Sequence, residues 1–231
     1  MLTLQECRLS DEAPCPYLPD RTARYEYFFA LDLDARELDA LIATGWRKFG
    51  LYFFRPECPG CRSCVPLRVP VAGFRPSKGQ RRVMRKNIRT ETRFGALRYR
   101  PEIFSIYSEH SRDRFGREGE IEDFLTNFYQ ESCPGLQSEY YVDGRLMAVG
   151  FLDRSSGGLS SVYFVFRTEF ARNSPGIYSV IREIELAASL GLPYYYLGYH
   201  VEGCRRMEYK ADFRPCERYS WEESRWLEAE G

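Results

Sequence analysis

The sequence predicts an α/β fold built on a mixed sheet, because its carboxy-terminal half contains a strand hairpin, a third strand, a helix and a further strand in that order. The hairpin signal is the turn Asp143-Gly144 between two strand-like runs. A helix begins at Ser174-Pro175 and stops at Gly191, and the aromatic run Tyr194–Tyr199 that follows favours a strand. The predicted elements are strands at 139–142, 146–152 and 159–166, a helix over 175–190 and a strand at 194–199.

The amino-terminal half predicts shorter elements separated by an irregular segment. Residues from about 21 to 36 alternate as a strand, Asp34 opens a helix that ends at Gly45, and Trp46–Phe54 is again typical of a strand. The run Arg55–Pro66 is rich in Pro, Gly and Cys, so we expect a loop there. Helical patterns are also present around 102–110 and 120–129.

The chain has 231 residues, which suffices for one large domain or two small ones that share a core. We expect a Cys-containing amino-terminal portion over residues 1–75 and a larger domain over residues 76–231. No apolar run is long enough to span a bilayer, and the first six residues lack the basic-then-apolar order of a secretory signal. The sequence therefore predicts a cytoplasmic protein with no membrane partner.

Basic residues are concentrated in one stretch although the formal net charge is zero. From Arg62 to Arg100 the only acidic residue is Glu91, among twelve basic ones. Ser77 and Gln80 have the spacing of a capping box, which predicts a basic helix near 77–89. Its cations suit the phosphates of an RNA backbone, and a solvated helix face is the alternative. The candidate RNA-binding residues are Lys78, Arg81, Arg82, Arg85, Lys86 and Arg89.

Three cysteines at two-residue gaps, Cys58, Cys61 and Cys64, indicate a metal site in a cytosolic chain, where disulfides are rare. Thiolates at this spacing suit zinc or an iron-sulfur cluster if a fourth ligand comes from outside the loop, and Cys15 is the candidate. The alternative is four reduced cysteines that bind nothing. We expect the remaining cysteines to be small buried hydrophobic residues; they are Cys7, Cys133, Cys204 and Cys216.

Titratable residues follow the aromatic strand, where an open sheet presents a ligand crevice beyond its strand ends. Glu202 is a candidate base or amine-orienting group, and Tyr209 and Lys210 are candidates for stabilising an oxyanion or a phosphate. The alternatives are an exposed ion pair of Glu202 with Arg205 or Arg206 and a surface lysine at position 210.

Several motifs occur along the chain in one order: Cys15-Pro16-Tyr17, Gly45-Trp46-Arg47, the Cys58–Cys64 run, Ser77–Arg82, Tyr194–Tyr199 and Phe213-Arg214-Pro215. The set covers nearly the whole chain and resembles the tRNA-dependent protein aminoacyltransferases. It is most similar to the bacterial aspartate/glutamate leucyltransferases of the arginyl-tRNA-protein transferase (R-transferase) family. One departure is Leu18, which stands where the related arginyl transferases have the second cysteine of a Cys-x-x-Cys pair.

The resemblance implies an acetyltransferase-like (GNAT/Fem-type) fold and an aminoacyl-tRNA partner for the basic helix. It further implies that leucine moves from leucyl-tRNA to proteins with an amino-terminal Asp or Glu, marking them for degradation. Recognition of such acceptors requires a cationic pocket, for which Arg68, Arg75 and Arg167 are candidates unless each pairs with an internal acid. Arginyl transfer, or a non-catalytic RNA-binding module with a structural metal, are the alternatives.

Two other chemistries are disfavoured. Acyl-CoA is not expected, because the turn before the predicted helix lacks a second glycine and Pro175 removes a backbone donor that would face a pyrophosphate. A Cys/His nucleophile is also disfavoured, because only two histidines exist. We expect His110 on the surface and His200 in a core or structural role.

Overall fold

The computed structural model describes residues 1–229. Within them the α-helices are α1 Ala35–Ala43, α2 Lys78–Lys86, α3 Pro101–Phe115, α4 Ile121–Phe128, α5 Pro175–Ser189 and α6 Arg205–Glu208. The strands are β1 Leu2–Leu9, β2 Ala13–Pro14, β3 Thr22–Ala23, β4 Tyr25–Leu31, β5 Arg47–Phe49, β6 Tyr52–Pro56, β7 Cys64–Pro70, β8 Thr90–Gly95, β9 Gly135–Val142, β10 Arg145–Arg154, β11 Gly158–Phe166, β12 Tyr194–Val201, β13 Glu217–Ser220 and β14 Arg225–Glu228. Short 3₁₀ turns lie at Val71–Gly73, Thr168–Asn173 and Tyr209–Asp212.

The large sheet has eight strands in the order β14-β13-β7-β12-β11-β10-β9-β8. Strands β9, β10 and β11 are antiparallel neighbours, and α5 then carries the chain back so that β12 runs parallel to β11. A helical crossover is the usual connection between parallel strands. The prediction of an acetyltransferase-like mixed sheet, with three strands, a helix and a fourth strand in this order, is confirmed.

Helix α5 covers one face of the large sheet. Its Val180, Ile181 and Ile184 pack with Tyr195 and Leu197 of β12 in one buried cluster. These helix positions recur at spacings of three and four residues, so they form a single stripe that faces the sheet. Burying each such side chain contributes roughly 1.5–3 kcal/mol. This packing fixes β12 and therefore the start of the turn that follows it.

A second sheet, in the order β1-β4-β6-β5, forms an amino-terminal layer. The rings of Phe28 and Phe53 stack with centroids 5.1 Å apart and join Leu38 and Trp46 in a buried cluster. Tyr196 of β12 belongs to the same cluster. Because neighbouring residues of a strand point to opposite faces, the small sheet packs on the face of β12 opposite to α5.

Strand β7 lies inside the large sheet, so the predicted loop over 55–66 is wrong at both ends. At the end of the predicted loop, the first residues of β7 already pair with β12, with Pro66 opposite Tyr199. At the start of the predicted loop, β6 continues to Pro56. A proline-rich run is typical of loops because proline has no N–H to donate. Here β13 pairs only with Leu67 and Arg68 on the other edge of β7, which leaves room for prolines at both ends of the strand.

The predicted helix starts agree with the structure. Asp34 caps α1 in a capping box with Glu37, and Ser77 caps α2 in a capping box with Gln80. Helices α3 and α4 occupy the two regions of helical pattern, and the predicted strand over 46–54 is instead the hairpin of β5 and β6. Its turn contains Gly50 at φ +53°, a conformation that glycine adopts without strain. No helix within residues 1–229 is both long and apolar enough to cross a membrane.

Candidate functional site

The candidate site is a crevice between β11 and β12. The two strands pair only where Gly158–Ser160 faces Tyr194–Tyr196, and beyond that point they separate. The register of β12 against β7 shifts between Tyr196 and Gly198, and Gly198 adopts φ +79°. A bulge of this kind turns the following side chains to the other face of the sheet. The crevice therefore opens beyond the paired ends of two parallel strands, where open α/β sheets bind ligands.

Two cationic side chains converge in this crevice. Lys210, on the 3₁₀ turn after β12, donates from Nζ to the carbonyl of Tyr199 at 3.0 Å. Arg47 reaches in from β5 and donates to the Ser160 hydroxyl at 2.5 Å and to the Ser161 carbonyl. A Cβ atom on Gly198 would lie 3.5 Å from the Lys210 Nζ and 3.6 Å from an Arg47 nitrogen. Both cations thus adjoin one small volume over Gly198.

The electrostatics of this pair are unusual for a protein interior. Burial, together with the smaller effect of the neighbouring Arg47 guanidinium, lowers the pKa of Lys210 to about 7. Burial likewise lowers the pKa of Arg47. Within residues 1–229 neither cation forms an ion pair with a carboxylate. Two enclosed cations without a contacting acid are costly for stability and typical of an anion-binding functional site.

Of the three predicted catalytic residues, only Lys210 contacts the crevice between β11 and β12. Glu202 is exposed on the turn that follows β12, and no hydrogen bond joins it to Lys210 within the described chain. The alternative ion pair of Glu202 with Arg205 or Arg206 is also absent from residues 1–229. Tyr209 is partly buried and packs against the α5 core, where burial raises its pKa.

Sequence reasoning missed Arg47 as a functional residue, although it is the last member of the Gly45-Trp46-Arg47 motif. The available signal was the pair of adjacent basic residues Arg47 and Lys48 in the otherwise apolar run Trp46–Phe54. Local structure positions Arg47: Gly45 adopts φ +85° before the strand, and its carbonyl accepts a hydrogen bond of 2.8 Å from the Tyr199 hydroxyl. The start of β5 is therefore held against the same strand that Lys210 contacts.

Glu183 of α5 was also missed. Its carboxylate is 2% exposed and accepts hydrogen bonds from the hydroxyls of Ser138, Tyr140 and Tyr195 at 3.0, 3.1 and 2.5 Å. Gly150 makes room for it, since a Cβ there would lie 3.0 Å from a Glu183 oxygen. The signal in the sequence was an acid on the helix stripe that is otherwise apolar. Burial raises the pKa of Glu183 to about 7.

The predicted RNA-binding residues lie on one exposed surface. All six are exposed, on α2 or directly after it. Arg81 donates to the Pro76 carbonyl at 2.5 Å, Lys86 donates to the Arg172 carbonyl at 3.4 Å, and Arg89 pairs with Asp143 at 2.5 Å. We call this set, Lys78, Arg81, Arg82, Arg85, Lys86 and Arg89, the α2 basic surface. Its cations are accessible to phosphates, since most of their partners within the protein are backbone carbonyls.

Two of the three predicted acceptor-binding arginines are engaged by internal acids. Arg68 pairs with Glu217 at 2.6 Å and lies 3.6 Å from the ring centroid of Tyr194. Arg167 pairs with two glutamates of α3, at 3.4 and 3.5 Å. Arg75 is exposed and donates to the Phe74 carbonyl at 2.7 Å.

The cysteines divide into two groups. Electrostatic coupling among Cys15, Cys58, Cys61 and Cys64 raises the pKa of Cys64, although burial is the main cause. Backbone amides donate to two of these sulfurs, at 3.4 Å to Cys15 and 3.4 Å to Cys58. Nevertheless, no group of three or more Cys, His, Asp or Glu side chains within residues 1–229 is arranged to hold a metal ion. The thiols are neighbours without the geometry of a ligand set, so no chemical step is assigned to a metal.

Other Cys and His predictions have mixed outcomes. Cys133, Cys204 and Cys216 are buried as predicted, but Cys7 is exposed on the edge strand β1, so that prediction is wrong. His200 is buried in β12 as predicted. The prediction of a surface position for His110 is wrong: the residue is 4% exposed, faces the Phe166 carbonyl at 3.3 Å and has a pKa lowered to about 4 by burial.

A groove lies away from the cationic crevice. It has a volume of about 520 Å³ and lies between α5 and the Val71–Gly73 turn, with Leu192 and Pro193 on its wall. Pro193 precedes β12, whereas Lys210 contacts the strand at Tyr199, six residues after Pro193. The groove is therefore at the opposite end of β12 from the two cations.

The mixed sheet with its separated parallel strands is of the acetyltransferase-like class. Family models for arginine-tRNA-protein transferase match the chain in two parts, the amino-terminal model over residues 13–82 and the carboxy-terminal model over residues 101–220. The chain belongs to this family, which confirms the resemblance. An aspartate/glutamate leucyltransferase from Chromohalobacter salexigens is 36% identical over 216 residues, or 88% of this chain and 85% of that protein. One from Chromobacterium violaceum is 34% identical over 207 residues, or 87% of this chain and 86% of that protein.

Solved structures align at lower similarity. FemX aligns with a TM-score of 0.48 and 10% identity over 86% of this chain and 80% of FemX. L-PGS from Bacillus licheniformis aligns with a TM-score of 0.45 and 14% identity over 61% of this chain and 48% of that chain. The assignment of the fold class rests on the strand order of this chain and not on these alignments.

Proposed function

We propose that this protein is a tRNA-dependent aminoacyltransferase that moves leucine from leucyl-tRNA to proteins with an amino-terminal Asp or Glu. The observation that carries the proposal is the pair of enclosed cations, Lys210 and Arg47, over Gly198 at the separated ends of β11 and β12. Membership of the arginine-tRNA-protein transferase family and the names of the similar relatives support it.

The reaction needs few catalytic groups, because the aminoacyl ester of tRNA is already activated. The α-amine of the acceptor attacks the ester carbonyl, a C–N bond and an oxyanion form, and the C–O bond to the ribose then breaks. The ribose oxygen takes up the proton that the amine loses, and deacylated tRNA leaves. An ammonium next to the carbonyl oxygen stabilises the charge that develops there. Lys210 takes this role, since its Nζ is fixed by the Tyr199 carbonyl and faces the crevice with few competing partners.

The acceptor carboxylate and the attacking amine belong to the same residue, so they lie within roughly 5 Å of each other by covalent geometry. The cation that reads the carboxylate must therefore adjoin the oxyanion site. Arg47 meets this requirement because it shares the volume over Gly198 with Lys210. Arg68 and Arg167 are engaged by glutamates, and Arg75 lies at the groove beyond the other end of β12. We therefore favour Arg47 over these three.

The proton of the attacking amine needs an acceptor. An α-amine has an ordinary pKa of about 8, so part of the population is neutral at neutral pH. Glu202 follows directly after β12 and is exposed, so it is free to approach an acceptor in the crevice mouth. It serves as the base or as the group that orients the amine.

The tRNA docks on the α2 basic surface through its phosphates. This surface is exposed, with five of its six cations on α2 and Arg89 just after the helix. Such contacts depend on salt and carry little sequence information, so recognition of the leucyl group occurs in the crevice instead.

The test is transfer of labelled leucine from leucyl-tRNA to peptides. A peptide that begins with Asp is expected to accept leucine, whereas the same peptide beginning with Asn is not, because Asn is nearly the same size and lacks the charge. Arginyl-tRNA serves as the competing donor. Transfer of arginine but not leucine would support the arginyl alternative, and tRNA binding without any transfer would support a non-catalytic RNA-binding module.

A further inference from the structure

Gln80 connects the α2 basic surface to the segment that carries Lys210. Its side-chain oxygen accepts a hydrogen bond of 2.8 Å from the Ser77 N–H, which is one half of the α2 capping box. Its side-chain nitrogen donates at 3.2 Å to the carbonyl of Asp212, in the 3₁₀ turn Tyr209–Asp212. The side chain is 5% exposed, so both bonds are sheltered from water. One amide therefore joins the start of a helix to a turn 132 residues later.

The Tyr209–Asp212 turn is held by contacts at each of its ends and by packing along one side. Lys210 bonds to β12 at Tyr199, and Phe213 is buried and stacks with Phe74 at 6.2 Å. Asp212 itself is exposed, and its carbonyl is held by Gln80. A four-residue 3₁₀ turn has poor internal hydrogen-bond geometry. Its orientation therefore depends on these contacts and on the packing of Tyr209 and Ala211 against the α5 core.

We propose that Gln80 is a positioning residue, which holds the Tyr209–Asp212 turn so that the Lys210 ammonium meets the reacting carbonyl while tRNA occupies the α2 basic surface. The inference rests on the proposed function. The tRNA contacts α2 from outside, and the Gln80 amide transmits the position of that helix to the turn. A displacement of about 1 Å at a catalytic group can cost on the order of 100-fold in rate.

Two variants separate the bond from Gln80 to the turn from the stability of the α2 cap. In Gln80→Glu one carboxylate oxygen still accepts from the Ser77 N–H, but the other faces the Asp212 carbonyl and repels it, so the helix cap is kept and the bond to the turn is removed. A glutamate at this position is also favourable to the helix dipole. In Ser77→Ala the Gln80 side chain keeps both of its bonds, and only the hydroxyl acceptor of the cap is removed. Ser77→Ala is therefore the matched control for α2 stability.

The measurement is leucine transfer to an Asp-starting peptide at saturating leucyl-tRNA, together with tRNA affinity. For Gln80→Glu we expect kcat to fall by on the order of 10- to 100-fold while tRNA affinity changes by less than about twofold. For Ser77→Ala we expect kcat within about twofold of the unchanged protein. Equal kcat in Gln80→Glu and the unchanged protein would overturn the positioning role, and absence of transfer by the unchanged protein would overturn the proposed function as well.

A double-mutant cycle distinguishes positioning from a general structural effect. In a Lys210→Met background the residual transfer should change by less than about twofold when Gln80→Glu is added, because the group that Gln80 positions is gone. A loss by the same factor in both backgrounds would contradict the proposal. If Gln80→Glu does not fold, Gln80→Met removes the donor to Asp212 without adding a charge; because it also removes the acceptor for the Ser77 N–H, its kcat is compared with that of Ser77→Ala, which weakens the same cap.

Discussion

The Glu183 carboxylate accepts a hydrogen bond of 2.5 Å from the Tyr195 hydroxyl, across the interface between α5 and β12. Two further hydroxyls, from Ser138 and Tyr140, donate to the same carboxylate. Burial raises the pKa of Glu183 to about 7, and the three hydrogen bonds act against this rise. The helix is thus joined to the middle of the sheet by a carboxyl group that gains a proton more easily when the protein is folded.

This carboxyl predicts a pH-dependent stability. Its pKa is higher in the folded protein than in the unfolded chain, so its favourable contribution is complete below pH 4.5 and is lost as the pH rises through about 7. We expect Glu183→Gln to be more stable than the unchanged protein above pH 7, by up to about 3 kcal/mol. The check is urea unfolding between pH 5 and pH 8; a stability difference that does not grow over this range would contradict the prediction.

Lys210→Met should reduce leucine transfer most below about pH 7, where the Lys210 ammonium of the unchanged protein is charged and stabilises the oxyanion, and the difference should narrow as the pH rises through about 7. Affinity for tRNA should change little, since Lys210 lies outside the α2 basic surface. Lys86→Met is the matched control on that surface and should behave in the opposite way, with weaker tRNA binding and little change in turnover at saturating tRNA. Full turnover in Lys210→Met would place the chemistry elsewhere.

Glu202→Gln should reduce turnover and leave tRNA affinity nearly unchanged, because it removes a proton acceptor without altering the RNA-binding surface. The deficit relative to the unchanged protein should narrow as the pH rises, since an acceptor amine with a pKa of about 8 then arrives neutral, whereas loss of the Lys210 charge above about pH 7 affects both proteins alike. The measurement is the pH profile of kcat for both proteins. Profiles that run parallel up to pH 9 would exclude Glu202 as the base.

Charge reversal of Arg81 and Arg85 to Glu should weaken tRNA binding and make the remaining binding less dependent on salt. The slope of log affinity against log salt should decrease by roughly one unit for each phosphate that the variant no longer neutralises. Leucyl-tRNA and other tRNAs should be affected alike, because phosphate contacts do not read the amino acid. Arg36→Glu, an exposed arginine on α1, is the control and should have little effect.

The metal prediction is tested by purification without oxygen. If the thiols close on a metal, zinc or iron should be present, and Cys61→Ser should lower both metal content and thermal stability. Cys15→Ser should match Cys61→Ser if Cys15 is the fourth ligand, whereas Cys133→Ser should leave metal content unchanged. Metal-free protein with full activity would instead support four reduced cysteines.

Much of the fold was predictable because its signals are local. The Asp143-Gly144 turn, the capping residues Ser77 and Asp34, and the stop at Gly191 each act within a few residues of the chain. Strand β7 was not predictable in the same way. Its prolines favour a loop locally, and it becomes a strand only because β12 offers a partner edge. Tertiary pairing overrides local preference at such positions.

The candidate site was predictable in part for the same reason. Lys210 follows a recognisable strand, so its place beyond the strand end could be inferred. Arg47 comes from β5, and its approach to Lys210 depends on how the small sheet packs on β12. Likewise, the glutamates that engage Arg167 lie on α3, distant in sequence, and no spacing rule indicates that pairing.

The position of β7 has a consequence for how the chain is made. Pro70 pairs with Tyr194, which leaves the ribosome 124 residues later. At ordinary rates of synthesis this strand waits on the order of 10 seconds for its partner, with Leu67 and Val69 unprotected. During that interval the nascent chain carries an open strand edge with apolar side chains, which is the state that chaperones recognise and that aggregates most readily. Strand β7 is therefore exposed to aggregation until β12, in the last quarter of the chain, has been synthesised.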